Sequence, residues 1–448
     1  MPSILIESAS MLTDHNDILT KVNILTEGGQ IRRISNTDSL PAADTVIHAE
    51  GLIALPGLID AHVHLRDLEL SYKETFESGT QAAAVGGYTT VLDMPNTRPA
   101  TTSSTNLSEK MRAANGRLFA NVGFQASLLA DPVELKRMAE KGAVAFKLYM
   151  NKALETFDDY NRTQLVTALQ AAKDVDVPVT VHGENGEEIR RIQKNCLEQG
   201  KTSVSNFLSA HTASVEVTAV RRILGVAGQI GLRLHVCHIT IPEAVKLVKA
   251  TPNATCEATA HHLLLNLSAF RKYGTLAICV PPIRSEKERR QLWSLFGHGD
   301  VDILASDHAP HTLEEKTKQN AWEAASGVPG LETSLPIIFT QVSKGKLTLR
   351  RLVEATSILP ARIFNIPRKG QLKEGFDADI VLVDPKEKTR VDPASFLTKA
   401  KYSPFAGLRC VGRAAYTIVN GTIVAERGKI VGPAAGRVVR RDLKRASS

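Results

Sequence analysis

Ile59-Asp60-Ala61-His62-Val63-His64-Leu65 (residues 59–65) is a short mixed run that reads as a strand, and a helical stretch follows it at Tyr72–Val85. The same unit recurs along the chain. Strands are predicted at Ile59–Leu65, Thr89–Met94, Ala120–Ala126, Val144–Tyr149, Val177–His182, Arg233–Ile239, Ala254–Ala258 and Asp302–Ser306. Helical segments between them include Tyr72–Val85, Ser104–Asn115, Val133–Lys141, Arg162–Val175, Ser214–Ala227 and Pro242–Ala250. Eight strands alternating with helices over this length predict an α/β fold of the (β/α)8 TIM-barrel kind. Arg350–Phe364 reads as a helix that leads out of the barrel.

Both ends of the chain have a different texture. Ser3–Ile6, Lys21–Leu25 and Gln30–Ile34 are β-rich and separated by turn formers such as Gly28-Gly29. Near the other end, Asp379–Val383 reads as a buried strand. Tyr416–Val419 and Thr422–Ala425 flank Asn420-Gly421, a hairpin signal because both residues tolerate positive φ. One small β-sandwich domain built from both termini is expected. The division is 1–55 for its N-terminal part and 56–349 for the barrel. The linking helix and the C-terminal part of the sandwich take 350–436, and a basic tail takes 437–448.

Composition sets bounds on partners and location. The 448 residues carry a net charge of +8, with 43% apolar and 23% charged residues, which excludes wholesale disorder. Half the charge excess sits in the tail, where Arg437, Arg440, Arg441, Lys444 and Arg445 face only Asp442. The tail reads either as a solvated segment or as a tether to an acidic partner. No recognisable nucleic-acid module stands behind it, so no nucleic-acid role is expected. The five cysteines form no C-x-x-C pair and suit a reducing compartment. No apolar stretch is long enough for a membrane span, and the N-terminus lacks a basic leader segment, so a cytoplasmic protein is expected.

Chemistry in such a barrel sits at the C-terminal ends of the strands. Side chains alternate along a strand, so His62 and His64 share one face, where the pair either packs or grips one metal from one side. Lys147 lies inside the apolar run Ala145-Phe146-Lys147-Leu148-Tyr149. An ammonium left unpaired there costs several kcal/mol. Either the lysine snorkels to water, or its amine adds to CO2 to give a carbamate whose two oxygens bridge two metals. His182, His238 and Asp307 end three further strands. The set His62, His64, Lys147, His182, His238 and Asp307 makes a two-metal site of nitrogen and oxygen ligands, which suits zinc. Asp307 is the expected acid–base group, taking a proton from water and delivering it to a leaving nitrogen. The reaction class is metal-assisted hydrolysis of an amide-like bond.

With these residues assembled, the chain resembles the amidohydrolase superfamily and, more closely, the dihydroorotases. The resemblance is carried by Pro56–Asp67, Met94-Pro95-Asn96-Thr97, Lys147-Leu148-Tyr149, His182, Val236-Cys237-His238 and Cys256-Glu257 with His261-His262. Ser306–Thr312, Gly327–Thr333 and Gly375–Asp379 extend it over nearly the whole chain. It implies one Zn2+ on His62, His64, Lys147 and Asp307, and a second on Lys147, His182 and His238. Lys147 is then N6-carboxylysine, formed with CO2. The implied activity is reversible cyclisation of N-carbamoyl-L-aspartate to L-dihydroorotate in pyrimidine biosynthesis. Positions matching Arg66, Asn96 and His311 hold the substrate carboxylate in dihydroorotases, and the backbone at Gly327 contacts the ring. Allantoinases resemble H-x-H-L-Asn where this chain has Arg66.

The resemblance leaves alternatives open. Another cyclic amidase, of allantoinase or dihydropyrimidinase kind, is one. A non-catalytic scaffold subunit for aspartate transcarbamoylase is another, although such subunits lose metal ligands and none is missing here. Candidate partners by resemblance are a second copy, giving a homodimer, and aspartate transcarbamoylase. Glu257 is expected to hydrogen-bond a ligand or to bind an accessory metal, and His308 to orient Asp307 or its loop. Cys237, next to His238, is expected to face the helices. Leu68-Glu69 replaces the Pro-Gly of many relatives, and Val280 replaces an Asn. Residues 151–156 do not align with the loop that covers substrate in relatives.

Overall fold

All eight predicted barrel strands form in the computed structural model, which describes residues 3–12, 18–37, 40–152 and 157–442. They are Leu58–Val63, Tyr88–Asp93, Asn121–Phe124 (continued by Ala126–Ser127), Phe146–Tyr149, Val179–His182, Leu234–Val236, Ala254–Thr259 and Ile303–Ala305. Successive strands pair in parallel. The ring closes where Val63 bridges His308 and the His64 N–H donates to the His308 carbonyl at 2.8 Å. Asp60 fastens the same seam, accepting the backbone N–H groups of His62 and Ser306, each at 3.1 Å. Burial pushes its carboxyl up to about 7.

The predicted helices form with small shifts at their ends, and capping chemistry explains the shifts. Phe76–Val85 begins four residues later than the predicted Tyr72, because the Thr75 side chain accepts the Ser78 N–H and makes Thr75 the cap. Asp131 caps Pro132–Lys141, and Gly142 ends it in the left-handed conformation. Glu286–His298 and Ser334–Ser343 complete the outer ring. The predicted helix Arg350–Phe364 forms from Leu349 to Ile363, as Leu349–Val353 and Leu359–Ile363 joined by a wider π-turn at Glu354–Ile358. Pro360, which has no N–H to give, follows that turn.

Both termini build one nine-stranded sheet, and its key seam is Ile53–Pro56 paired antiparallel with Ile380–Val383. The sheet folds over a core that takes Ile4, Ile24 and Ile31 from one end and Ile380, Leu382 and Ile418 from the other. Asn420 and Gly421 both take positive φ, as the hairpin requires. A buried polar network welds this domain to the barrel. Lys369 contacts Asp377 at 3.0 Å and also pairs with Asp379. Asp379 in turn accepts from Asn121 of the third barrel strand at 3.0 Å and from the Asn420 N–H at 2.7 Å. Removing one partner of such a buried pair costs about 3–5 kcal/mol, against roughly 0–1 kcal/mol for an exposed one. The weld therefore outweighs the surface pairs.

The basic tail departs from the solvated reading. Val438–Val439 pairs in parallel with Val122–Gly123 of the third barrel strand. The Arg441 side chain is buried against Asp176, donating to its carbonyl and lying 3.5 Å from its carboxylate. The reason is an unused strand edge: the N-terminal half of the third strand pairs with the second strand and with the tail, while Ala126–Ser127 pairs with the fourth. Lys444 and Arg445 lie outside the described residues. Among the described residues, no helix is long and apolar enough to cross a membrane. A chain truncated after Gly436 loses the added strand and the Arg441 contact, so its thermal midpoint should fall by several degrees in calorimetry. An unchanged midpoint would reinstate the solvated tail.

Candidate metal centre and substrate site

His62 and His64, at the end of the first strand, both point Nε2 at Asp307 Oδ1, each at 3.2 Å. The other nitrogen of each ring is already held. His62 Nδ1 lies 2.5 Å from Glu257 Oε1, and His64 Nδ1 lies 2.6 Å from Asn96 Oδ1. A hydrogen on Nδ1 leaves the Nε2 lone pair of each histidine facing inward, which is the orientation a metal needs. The second pair uses the opposite nitrogen. His182 gives Nε2 to Glu184 at 2.7 Å and turns Nδ1 towards His238 Nε2 at 3.0 Å. The His62 and His238 rings, 5.1 Å apart between centroids, join the two halves. Burial, with neighbouring cationic groups, holds His62 below and His64 and His238 well below the ordinary imidazole value. They are neutral, which is the ligating form.

Glu257 and Glu184 do matching work. Glu257 also meets His235 at 3.0 Å, and Glu184 also meets His211 at 2.8 Å. Both carboxylates are fully buried. Burial pushes each up, but the paired histidines outweigh it and hold each well below the usual carboxylate range. The hydrogen-bonding role expected for Glu257 is thus present. Sequence reasoning missed Glu184 and His211, although Glu184 lies two residues past His182 on the same strand exit.

Lys147 is 1% exposed, and its Nζ has no carboxylate within ion-pair distance among the described residues. Its near contacts are Cys237 Sγ at 3.0 Å and the Tyr149 ring, with Nζ 5.0 Å from the centroid. Cys237 therefore faces the site and not the helices. The backbone explains the error: His238 has a φ of +34°, so strict strand alternation ends before it. Burial pushes the Cys237 thiol up to about 12, against the pull of Lys147.

Among the described residues, three groups of side chains have metal-ligating atoms within 4.8 Å of one another: His62, His64 and Asp307; His62, Cys237 and Glu257; and His261, His262 and Cys279. The donor set His62, His64, Lys147, His182, His238 and Asp307 fits divalent metal binding. Its lone pairs converge, the His238 Nδ1 is buried without a partner, and Lys147 is an unpaired buried amine. The third group fits poorly, because His262 already uses Nδ1 on Thr259 and Nε2 on the Pro281 carbonyl.

Beside the histidines lies a cationic pocket wall. Arg66 is buried, contacts the Pro310 carbonyl at 3.4 Å and His311 Nε2 at 3.2 Å, and has no carboxylate partner among the described residues. Lys73 lies 3.2 Å from His311 Nδ1 but is neutralised by Glu315 at 2.7 Å. Burial and these cations drive the His311 imidazole far below its ordinary value, so it is neutral. Asn96 spends its carbonyl on His64, which leaves its amide hydrogens to give.

Gly327 is held through both of its backbone groups. Its N–H donates to Ile278, and its carbonyl accepts from Lys316 at 2.9 Å and Tyr402 at 3.1 Å. A Cβ there would lie 2.6 Å from Ala309, and φ is +145°, so close packing requires glycine. Burial pulls the Lys316 amine down to about 7. It nevertheless donates to three carbonyls, Ile278, Ala325 and Gly327, which uses all three hydrogens of the ammonium form. His308 meets Glu74 at 3.4 Å and accepts the Gly330 N–H at 3.2 Å, fastening its own loop as expected. Of residues 151–156, Ala153 to Thr156 lie outside the described residues.

Residues 53–424 match the amidohydrolase family. A dihydroorotase of Methanosphaera stadtmanae is 38% identical over 90% of this chain and 93% of its own length. An allantoinase of Salmonella gallinarum is 32% identical over 90% and 91%. The solved L-hydantoinase of Arthrobacter aurescens superposes with a TM-score of 0.94 at 32% identity, covering 98% of this chain and 100% of that one.

The Glu184 geometry yields a test. Glu184→Gln keeps the shape but weakens the hold on His182. Affinity for a bound divalent metal should fall about 10- to 100-fold, read by titration with a chromophoric chelator, with circular dichroism unchanged. Metal affinity equal to wild type would remove Glu184 from the metal site.

Proposed function

Given that the chain belongs to the amidohydrolase family and is a cyclic amide hydrolase, we propose that its substrate pair is L-dihydroorotate and N-carbamoyl-L-aspartate. The observation that carries this reading is Arg66. A buried guanidinium beside the convergent donor set, with no carboxylate of its own, is matched to a substrate carboxylate. Asn96 offers amide hydrogens to the same group, and His311 flanks it. Allantoin and hydantoin rings carry no carboxylate.

His62, His64, Lys147 (as its carboxylated form), His182, His238 and Asp307 would hold two zinc ions, which would supply Lewis acidity and a more acidic water. The chain's own residues do the rest. Arg66 and Asn96 fix the ring so that its amide carbon faces Asp307. Asp307 takes the proton of the attacking water and passes it to the ring nitrogen as the carbon–nitrogen bond breaks. In the ring-closing direction the same carboxylate takes the ureido proton and returns it to the departing water. Glu257 and Glu184 hold the histidine tautomers through the cycle. The similar identity of the allantoinase relative makes a second cyclic amide the competing substrate, and Arg66 weighs against it.

The purified, zinc-supplemented protein should hydrolyse L-dihydroorotate and leave allantoin and dihydrouracil untouched. Turnover of either alternative ring instead would sink the substrate assignment and keep the hydrolase. Arg66→Met should keep its metal content and lose about 1.5–3 kcal/mol of transition-state binding, roughly 10- to 150-fold in kcat/KM. Lys147→Ala should lose bound metal by elemental analysis as well as activity, and full retention of two metals would rule out the lysine bridge.

A further inference from the structure

A cleft of about 780 Å³ lies between the segment Ser268–Ala277, the helix Ser334–Ser343 and the ends of the strands Ile380–Arg390 and Arg409–Val419. Its charged lining is all of one sign: Lys272, Lys344, Arg390 and Arg409, with no aspartate or glutamate among the described lining residues. None of the four forms an ion pair with a described residue, whereas Lys73, Lys110 and Lys369 all do.

The placement of the two arginines is the second observation. Arg390 and Arg409 are directly opposed partners in the antiparallel register, so their side chains leave the same face side by side. Like charges opposed across strands destabilise a sheet; both side chains are exposed to solvent, and no acidic side chain among the described residues offsets them. An anion seated between them would. The cleft also has an apolar lining, with buried Phe405 and Ile337 and half-buried Tyr273, over whose ring Lys272 lies at 4.8 Å. The space far exceeds a single phosphate, and its lining combines cations with apolar side chains and one flat ring.

We infer that this cleft binds a nucleoside di- or triphosphate, with its phosphates on Arg390, Arg409, Lys344 and Lys272 and its base against Tyr273. The site is also an effector site, through one segment of chain. Tyr273 donates to the Ala406 carbonyl at 3.1 Å, and Tyr402, four residues earlier, donates to Gly327 beside the substrate pocket. A ligand that shifts residues 402–410, of which Tyr402 to Phe405 are buried, alters the support of Gly327 and hence KM for the ring substrate.

The test uses the full-length, metal-loaded protein with ATP, UTP and tripolyphosphate, each with excess magnesium, followed by isothermal titration. Wild type should bind a nucleotide with micromolar affinity at low salt, and more tightly than tripolyphosphate. The double variant Arg390→Gln, Arg409→Gln should bind at least 10-fold more weakly. Its nucleotide-free activity should match wild type, and its thermal midpoint should equal or exceed wild type because the opposed charges are gone. No binding by wild type, or binding that the double variant retains, overturns the site. Tripolyphosphate binding as tightly as both nucleotides overturns the nucleoside assignment. A KM unmoved by saturating nucleotide, or moved equally in the double variant as metal chelation would do, overturns the effector role. A wild-type dimer that the double variant dissociates shows the cleft to be an interface between copies, and overturns it as well.

Discussion

Two buried carboxylates, Glu184 and Glu257, each stretched between two histidines, hold the barrel mouth together. Six strand ends deliver histidines, a lysine and an arginine into one dry space, and without buried negative charge that arrangement is unstable. Each glutamate also decides which ring nitrogen carries hydrogen. Glu257 claims Nδ1 of His62 and Glu184 claims Nε2 of His182, so both lone pairs turn to the centre although the two histidines present opposite nitrogens. Asn96 does the same for His64. The donor set is therefore pre-oriented by a shell of hydrogen-bonding residues.

The mouth also stores backbone strain. Arg66, Asp67, Leu68, His238 and Asp307 all have positive φ without being glycine, at a cost of order 1–3 kcal/mol each. The barrel supplies the rigidity that holds them. Asp67, for example, accepts the N–H of Leu68 and of Phe76, each at 2.6 Å, and pairs with Arg117 at 2.9 Å. That brace tips the Arg66 guanidinium out of the strand direction and towards His311. Strain and specificity meet in one turn of chain.

The two buried cations of the substrate side differ in kind. Lys316 has three carbonyls for its three hydrogens and is a structural cation that pins the Gly327 strap. Arg66 has one long carbonyl contact and a neutral imidazole for five hydrogens. A satisfied charge holds a fold together, and an unsatisfied one waits for a ligand. Distances to partners, and not burial alone, separate the two.

The repeating strand–helix texture, the two β-rich ends and the Asn420-Gly421 turn determined the architecture by themselves, because strand and helix periodicities are local and each segment states its own. The donor residues were legible too, since a barrel sends the ends of its strands to one face. Other features were decided only in three dimensions. Glu184 and His211 meet across 27 residues of sequence, and no spacing rule joins them. Cys237 turned inward because positive φ at His238 breaks the alternation on which its expected direction rested. The tail became a strand because the third barrel strand leaves half an edge open, and an open edge is a property of the assembled sheet. The opposed Arg390 and Arg409, nineteen residues apart in the chain, became neighbours only through register. Pattern along the chain is enough to choose a fold, but hydrogen-bond partners and charge balance arise where distant segments meet.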